Sequence, residues 1–243
     1  MDAPRFPMAI KYTDFRAIGT EVVNPPRKKE SRFVLVMRAT GRLILPVAAL
    51  AATLFLAYAY RTAPVTIFDG RFPPEQAYLQ PGNWLTVGHA LLPLAFFVVS
   101  LTNRRYGPNY AVAQIVAAWA VVAGLIAFAL FYLKVEPAAG AFPDIRTVMA
   151  FTLAILIAQL VSAVVFDGTR GVRWWSAPLF SGLWAGIVFT ALFYPVAFVG
   201  VEEPWINRMS VHLGIMTVAA FLLLIPYFLL RAAIKPLPGF AGR

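Results

Sequence analysis

Ala111 to Leu133 reads AVAQIVAAWAVVAGLIAFALFYL, one amide and no charge in a stretch long enough to cross a bilayer once. A helix rises about 1.5 Å per residue, so about 20 apolar residues match a hydrocarbon core about 30 Å thick. Inside that core every backbone N–H and C=O must be paired, which a helix does within itself. Barrel strands would be half as long and would alternate. The stretch predicts a transmembrane helix. Five more charge-free stretches flank it: Leu43 to Tyr60, Leu85 to Thr102, Thr147 to Phe166, Ser176 to Val199 and Val211 to Leu230. All 21 Lys and Arg and all 11 Asp and Glu lie outside the six. The expected fold is all-α, a polytopic integral membrane protein of six transmembrane helices.

Composition agrees, since 60% of the 243 residues are hydrophobic and the mean hydropathy is +0.72, well above soluble usage. Orientation follows from Lys and Arg, which stay on the cytoplasmic side. With the N-terminus inside, 16 of the 21 basic residues fall on the inner side and five outside: Arg61, Arg71, Lys134, Arg146 and Arg208. Both termini are therefore expected inside. The net charge of +10 reads as a topology signal; with no groove-reading motif, nucleic acid is not an expected partner. Residues 1–42 form a polar, basic cytoplasmic extension, 43–231 the membrane domain and 232–243 a cytoplasmic tail. The extension holds no signal-peptide core, so the first span is expected to serve as an uncleaved anchor.

There is no cysteine and only two histidines, which removes thiolate metal sites, disulfides and thiol redox chemistry. Acidic residues are confined to loops, and no metalloprotease, phosphate-loop or nucleophile-elbow motif occurs, so no catalytic residue and no enzyme is expected. His89 and His212 fall at the outer ends of the second and sixth spans, where a neutral imidazole is a candidate ligand for haem iron or a pigment magnesium. An interfacial histidine bonded to backbone or lipid is the plainer reading. Pro46, Pro93, Pro178, Pro195 and Pro226 lie within spans and are expected to kink them. Trp84, Trp174, Trp175 and Trp205 sit at span ends as interfacial belt residues, whereas Trp119 and Trp184 fall within spans and need a partner for the indole N–H.

Three segments carry a family resemblance. Thr86 to Gly107, TVGHALLPLAFFVVSLTNRRYG, resembles the second-helix signature of the bacterial queuosine-precursor transporters, six-helix proteins of the vitamin-uptake-like family. Gln159 to Phe198, with Val165-Phe166, Arg170, Trp174-Trp175-Ser176-Ala177-Pro178 and Ala197-Phe198, is similar to that family's fourth and fifth helices. Pro226 matches near the end of the sixth. The resemblance implies a bundle that carries a purine-like heterocycle, with Gln159, Ser100, Ser162 and Asn103 as the residues placed to bind it. Against the family pattern, Ser100 and Ser162 stand where aspartates are expected. Gly186 and Phe189 replace Asn and Asp, and His212 and Met216 replace Asp and Lys. Charges inside a bilayer cost several kcal/mol and persist where they work; here none persists.

Two functions follow. The first is a non-transporting relative that serves as an accessory subunit of a larger membrane complex, respiratory or photosynthetic, in the bacterial cytoplasmic membrane. It predicts no rescue of queuosine-precursor uptake and gives the extension a role. Phe6, Tyr12, Phe15 and Val23 would anchor it on a neighbouring subunit, with Arg27, Lys28, Lys29 and Arg32 on lipid headgroups. The alternative is a secondary transporter of a small purine-like heterocycle. Bound lipid is expected in either case, with pigment or haem confined to the two histidines.

Overall fold

The computed structural model describes residues 31–66, 71, 81–83, 85–134, 144–171, 173–201 and 205–237. The chain divides into two units, Met1–Arg38 and Ala39–Arg243. Of the first, residues 31–38 are described, the opening of a helix in which Ser31 Oγ accepts from Val34 N–H; the extension's anchors Phe6, Tyr12, Phe15, Val23, Arg27, Lys28 and Lys29 lie outside the described residues.

The helices are α1 (Arg32–Ala59), α2 (Val87–Tyr106), α3 (Pro108–Ala127), α4 (Ile145–Gly168), α5 (Ser176–Phe198), α6 (Trp205–Leu222) and α7 (Leu224–Leu230). They supply six spans long and apolar enough to cross a membrane, α6 and α7 together making the last. The protein is an all-α, six-helix polytopic membrane protein.

The ends of the helices differ from the ends of the apolar runs. α1 begins at Arg32 rather than near Leu43, because charge bars a residue from hydrocarbon but does not stop a helix. The sixth span breaks at Leu223, four residues after Ala219 and three before Pro226. Pro226 has no N–H for the Leu222 carbonyl, while Leu223 N–H still reaches Ala219 O at 2.8 Å and Tyr227 N–H reaches Leu223 O at 3.1 Å. Pro46, Pro93 and Pro195 are held inside continuous helices. Pro178 lies in the first turn of α5, where a missing donor costs little.

Turn chemistry fixes the other boundaries. Gly107, at φ 88°, sends its N–H to Asn103 O at 2.9 Å and closes α2; Pro108 then opens α3 at its favoured position. α3 runs on into a wider π turn, Phe128–Tyr132. Asp144 caps α4 by accepting from Thr147 N–H at 3.0 Å and Thr147 Oγ1 at 2.6 Å. Those two bonds hold its carboxyl below the usual carboxylate range, so the cap persists at ordinary pH and is lost only as the pH falls through that lowered value.

Packing relies on small residues, as it must where lipid is as apolar as the helices and van der Waals fit decides. Ala150, Ala154 and Ala158 recur at every fourth position of α4 and are buried; α4 and α5 form the most extensive helix pair. On α5, Gly182 and Gly186 face α6 so closely that a Cβ on Gly182 would stand 3.2 Å from Ala220 Cβ, and one on Gly186 would stand 2.8 Å from Met216 Cβ. At the α1–α2 hairpin, Gly88 N–H bonds Tyr60 O at 3.0 Å, and a Cβ there would meet Ala57 O and Arg61 Cα, the latter at 2.8 Å.

Candidate functional site

The polar residues inside the bundle fall into three groups. The first lies on one face of α4. Gln159 and Ser162 are three residues apart and both fully buried, so they stand one above the other. Trp119 Nε1 on α3 donates to Gln159 Oε1 at 3.0 Å, which gives the indole the neighbouring-helix partner that its position demands. Gln159 Nε2 and Ser162 Oγ have no protein partner. A buried polar atom left unpaired costs about 1–3 kcal/mol. A donor pair and a hydroxyl thus face the interior uncommitted. Trp119→Phe should lower thermal stability in detergent by about 1 kcal/mol, because it adds Gln159 Oε1 to the unpaired atoms; an unchanged melting curve would count against the bond.

The second group sits between α2 and α5. Ser181 Oγ donates to Pro178 O at 3.1 Å, so in the 3.2 Å contact between the two hydroxyls Ser100 is the donor. Ser100 also lines a small cavity with Phe96, Pro178, Gly182 and Met216, with room for about 20 Å³, one water-sized sphere. A heterocycle needs far more than that, so binding one here requires α5 and α6 to part.

Asn103 belongs to neither group. It is fully buried; its Nδ2 donates to Ala163 O at 2.7 Å, and Arg170 Nη2 donates both to its Oδ1 at 2.7 Å and to its backbone carbonyl. Arg170 Nε lies 2.8 Å from Asp167 Oδ1. Every side-chain polar atom of Asn103 is thereby engaged in joining α2 to α4 and the turn that follows it, so Asn103 acts here as a clamp between them.

The third group lies at the end of the bundle that the charge count assigns to the outside. His89, in the first turn of α2, and His212 of α6 meet with ring centroids 4.5 Å apart and planes tilted by 52°. Each Nδ1 has a hydroxyl neighbour: Thr86 Oγ1 at 3.1 Å for His89 and Tyr194 Oη at 3.1 Å for His212. Sequence reasoning placed both imidazoles at one depth but had no signal for their contact, nor for Ser181 or Tyr194, whose partners are remote in the chain. Among the described residues no cluster of three or more potential metal ligands occurs.

The positions on the fifth and sixth spans where the resemblance implies polar or charged residues also meet in pairs. Gly186 lies against Met216, and Phe189 lies edge-on to His212 with centroids 5.5 Å apart. Phe189 is further enclosed by Phe151 and Phe193, at 5.7 and 5.4 Å. Aromatic and thioether packing fills this part of the bundle.

Six spans, the last of them broken near Pro226, around buried uncharged polar groups define a transporter-like membrane protein. Residues 86–230 match the sequence profile of the putative vitamin uptake transporter family. The chain belongs to that family, which is one of transporters rather than enzymes. No curated protein and no solved structure matches it.

Proposed function

We propose that this protein carries a small, uncharged heterocycle across the bacterial cytoplasmic membrane, and that it recognises the ring through neutral hydrogen bonds instead of charge. The supporting observation is the pair Gln159 Nε2 and Ser162 Oγ, both fully buried and without a partner. An amide N–H and a hydroxyl one helical turn apart suit a ring edge that offers a carbonyl beside a ring nitrogen, the edge of a purine-like base. Leaving them unpaired is costly in hydrocarbon, and a solute returns that cost. Cells lacking their own carrier and expressing this chain should accumulate such a base, the queuosine precursor included, above an empty-vector control. Gln159→Leu and Ser162→Ala should each cut uptake about tenfold or more, with protein level in the membrane unchanged. Uptake that both variants retain in full would remove the proposed recognition pair.

The accessory-subunit reading draws support from a different observation, the filling of the interior by Phe189 and Met216 at positions where carriers of the family hold charge. It predicts no accumulation of any base, and co-purification with another membrane protein that depends on residues 2–24. Lipid at the inner face, near Arg231 stacked over Trp174 and Phe228, fits both readings.

A further inference from the structure

We propose that His89 and His212 form a single proton-binding site, in which the two imidazoles hold one added proton between their Nε2 atoms. The hydrogen bonds around His89 assign its tautomer, and in the proposed pair His212 takes the complementary one. Thr86 N–H points at His89 Nδ1 at 3.4 Å, and Thr86 Oγ1 already accepts from His89 N–H at 3.3 Å. The Thr86 hydroxyl proton is therefore available to His89 Nδ1, which is an acceptor twice over. Neutral His89 then carries its proton on Nε2.

His212 is the complement. Its Nε2 is buried without a partner, the ring is 2% exposed, and its Nδ1 is satisfied by Tyr194 Oη. With the His212 proton on Nδ1 and donated to Tyr194, Nε2 presents a lone pair. The ring centroids stand 4.5 Å apart with the planes tilted by 52°, close enough, in the proposed protonated state, for His89 Nε2–H to be directed to His212 Nε2.

The added proton has a defined point of entry, and the balance is simple. It binds at His89 Nδ1, the nitrogen nearer the loop end, while the Thr86 hydroxyl turns from donor to acceptor. His89 is now a cation, and its Nε2–H is shared with His212 Nε2 in a charge-assisted bond of the strong class. No bond between heavy atoms changes, and no electron moves. A lone cation in this apolar surround would carry its full desolvation cost; the second imidazole returns part of it. Among the described residues the charged and titratable groups acting on the pair are Arg208 of α6, whose like charge opposes the added proton, and Tyr194 of α5, bonded to His212; Phe189 of α5 closes a further side.

Proton uptake also has a structural consequence. Thr86 and His89 cap the start of α2 by exchanging bonds, and Thr86 is bridged to Pro64 in the preceding segment. Protonating His89 Nδ1 takes away the acceptor of Thr86 N–H, so the cap loosens as the α2–α6 contact tightens. The inference does not rest on the carrier reading, because a proton site exists with or without a cargo.

The test uses the only two histidines in the chain. Full-length protein labelled with ¹⁵N-histidine, in lipid nanodiscs, gives four imidazole nitrogens by NMR, assigned through His89→Gln and His212→Gln; either variant alone assigns both rings if the other does not fold. From pH about 8 to about 5, the range in which an ordinary imidazole charges, the pair should gain one proton per chain. His89 Nδ1 should change from acceptor to protonated, and a coupling should develop between the two Nε2 atoms. In His212→Gln the His89 transition should shift by about one pH unit or more, the mark of coupled titration. Two rings that stay neutral throughout, or two that charge independently and ignore substitution of the other, would overturn the proposal.

Discussion

Gly88→Ala should be the most damaging single methyl group that this fold can receive. The added Cβ would be driven into Ala57 O and the Arg61 backbone, with Arg61 Cα only 2.8 Å away, and backbone cannot rotate aside as a side chain does. Overpacking of a tight site costs typically about 1–3 kcal/mol and occasionally more; this one falls at the top of the range. Expected outcomes are a large drop in melting temperature and loss of the monodisperse peak in detergent, with no rescue from a second substitution nearby. Gly186→Ala provides the contrast. Its clash is with Met216 Cβ at 2.8 Å, a side chain, so the loss should be smaller and Met216→Ala should recover much of it. Equal damage from the two glycine variants, or no recovery in the double variant, would contradict the difference between backbone and side-chain obstruction.

The second large effect is expected at the clamp between α2 and α4. Arg170→Met removes the donor that serves both acceptors of Asn103 and leaves Asn103 Oδ1 buried with nothing to accept from. Hydrogen bonds to a charged group contribute about 1.5–3 kcal/mol each, and here two of them go from a part-buried guanidinium to one fully buried residue. Thermal unfolding in detergent should show a loss of about 3 kcal/mol, and Arg170→Lys should not restore it, because an ammonium lacks the planar fork. Asn103→Leu should be similarly harmful. The double variant Asn103→Leu/Arg170→Met should lose much less than the sum, since both substitutions delete one network. Additive losses would mean that the two side chains stabilise the bundle separately.

What was legible in the sequence is what the bilayer dictates. Six charge-free stretches gave six spans because hydrocarbon tolerates neither an unpaired backbone group nor a stray charge. The helix ends were less legible, since Arg32 to Arg42 show that a helix continues past the point where charge begins. Pairings across helices were not legible at all. Gln159 and Trp119 each announce a need for a partner, yet nothing in their spacing says that α3 and α4 bring them together, and the same holds for Ser100 with Ser181. Asn103 stood among the solute contacts that the resemblance implies, and its commitment to Arg170 emerges only once α2 and α4 are side by side. One signal was present and stronger than the individual residues: Gly182-x-x-x-Gly186, the spacing that lets two membrane helices approach closely.

That close approach also constrains how the sequence can drift. Met216 occupies the notch that Gly186 leaves, and Phe189 occupies the space beside His212. A side chain fits freely at position 186 only when position 216 is smaller, so a change at one of these contacting residues calls for a change at the other. The contact couples the two positions: residue 186 stays small while residue 216 fills the notch, and the packed neutral interior resists a single substitution at either place.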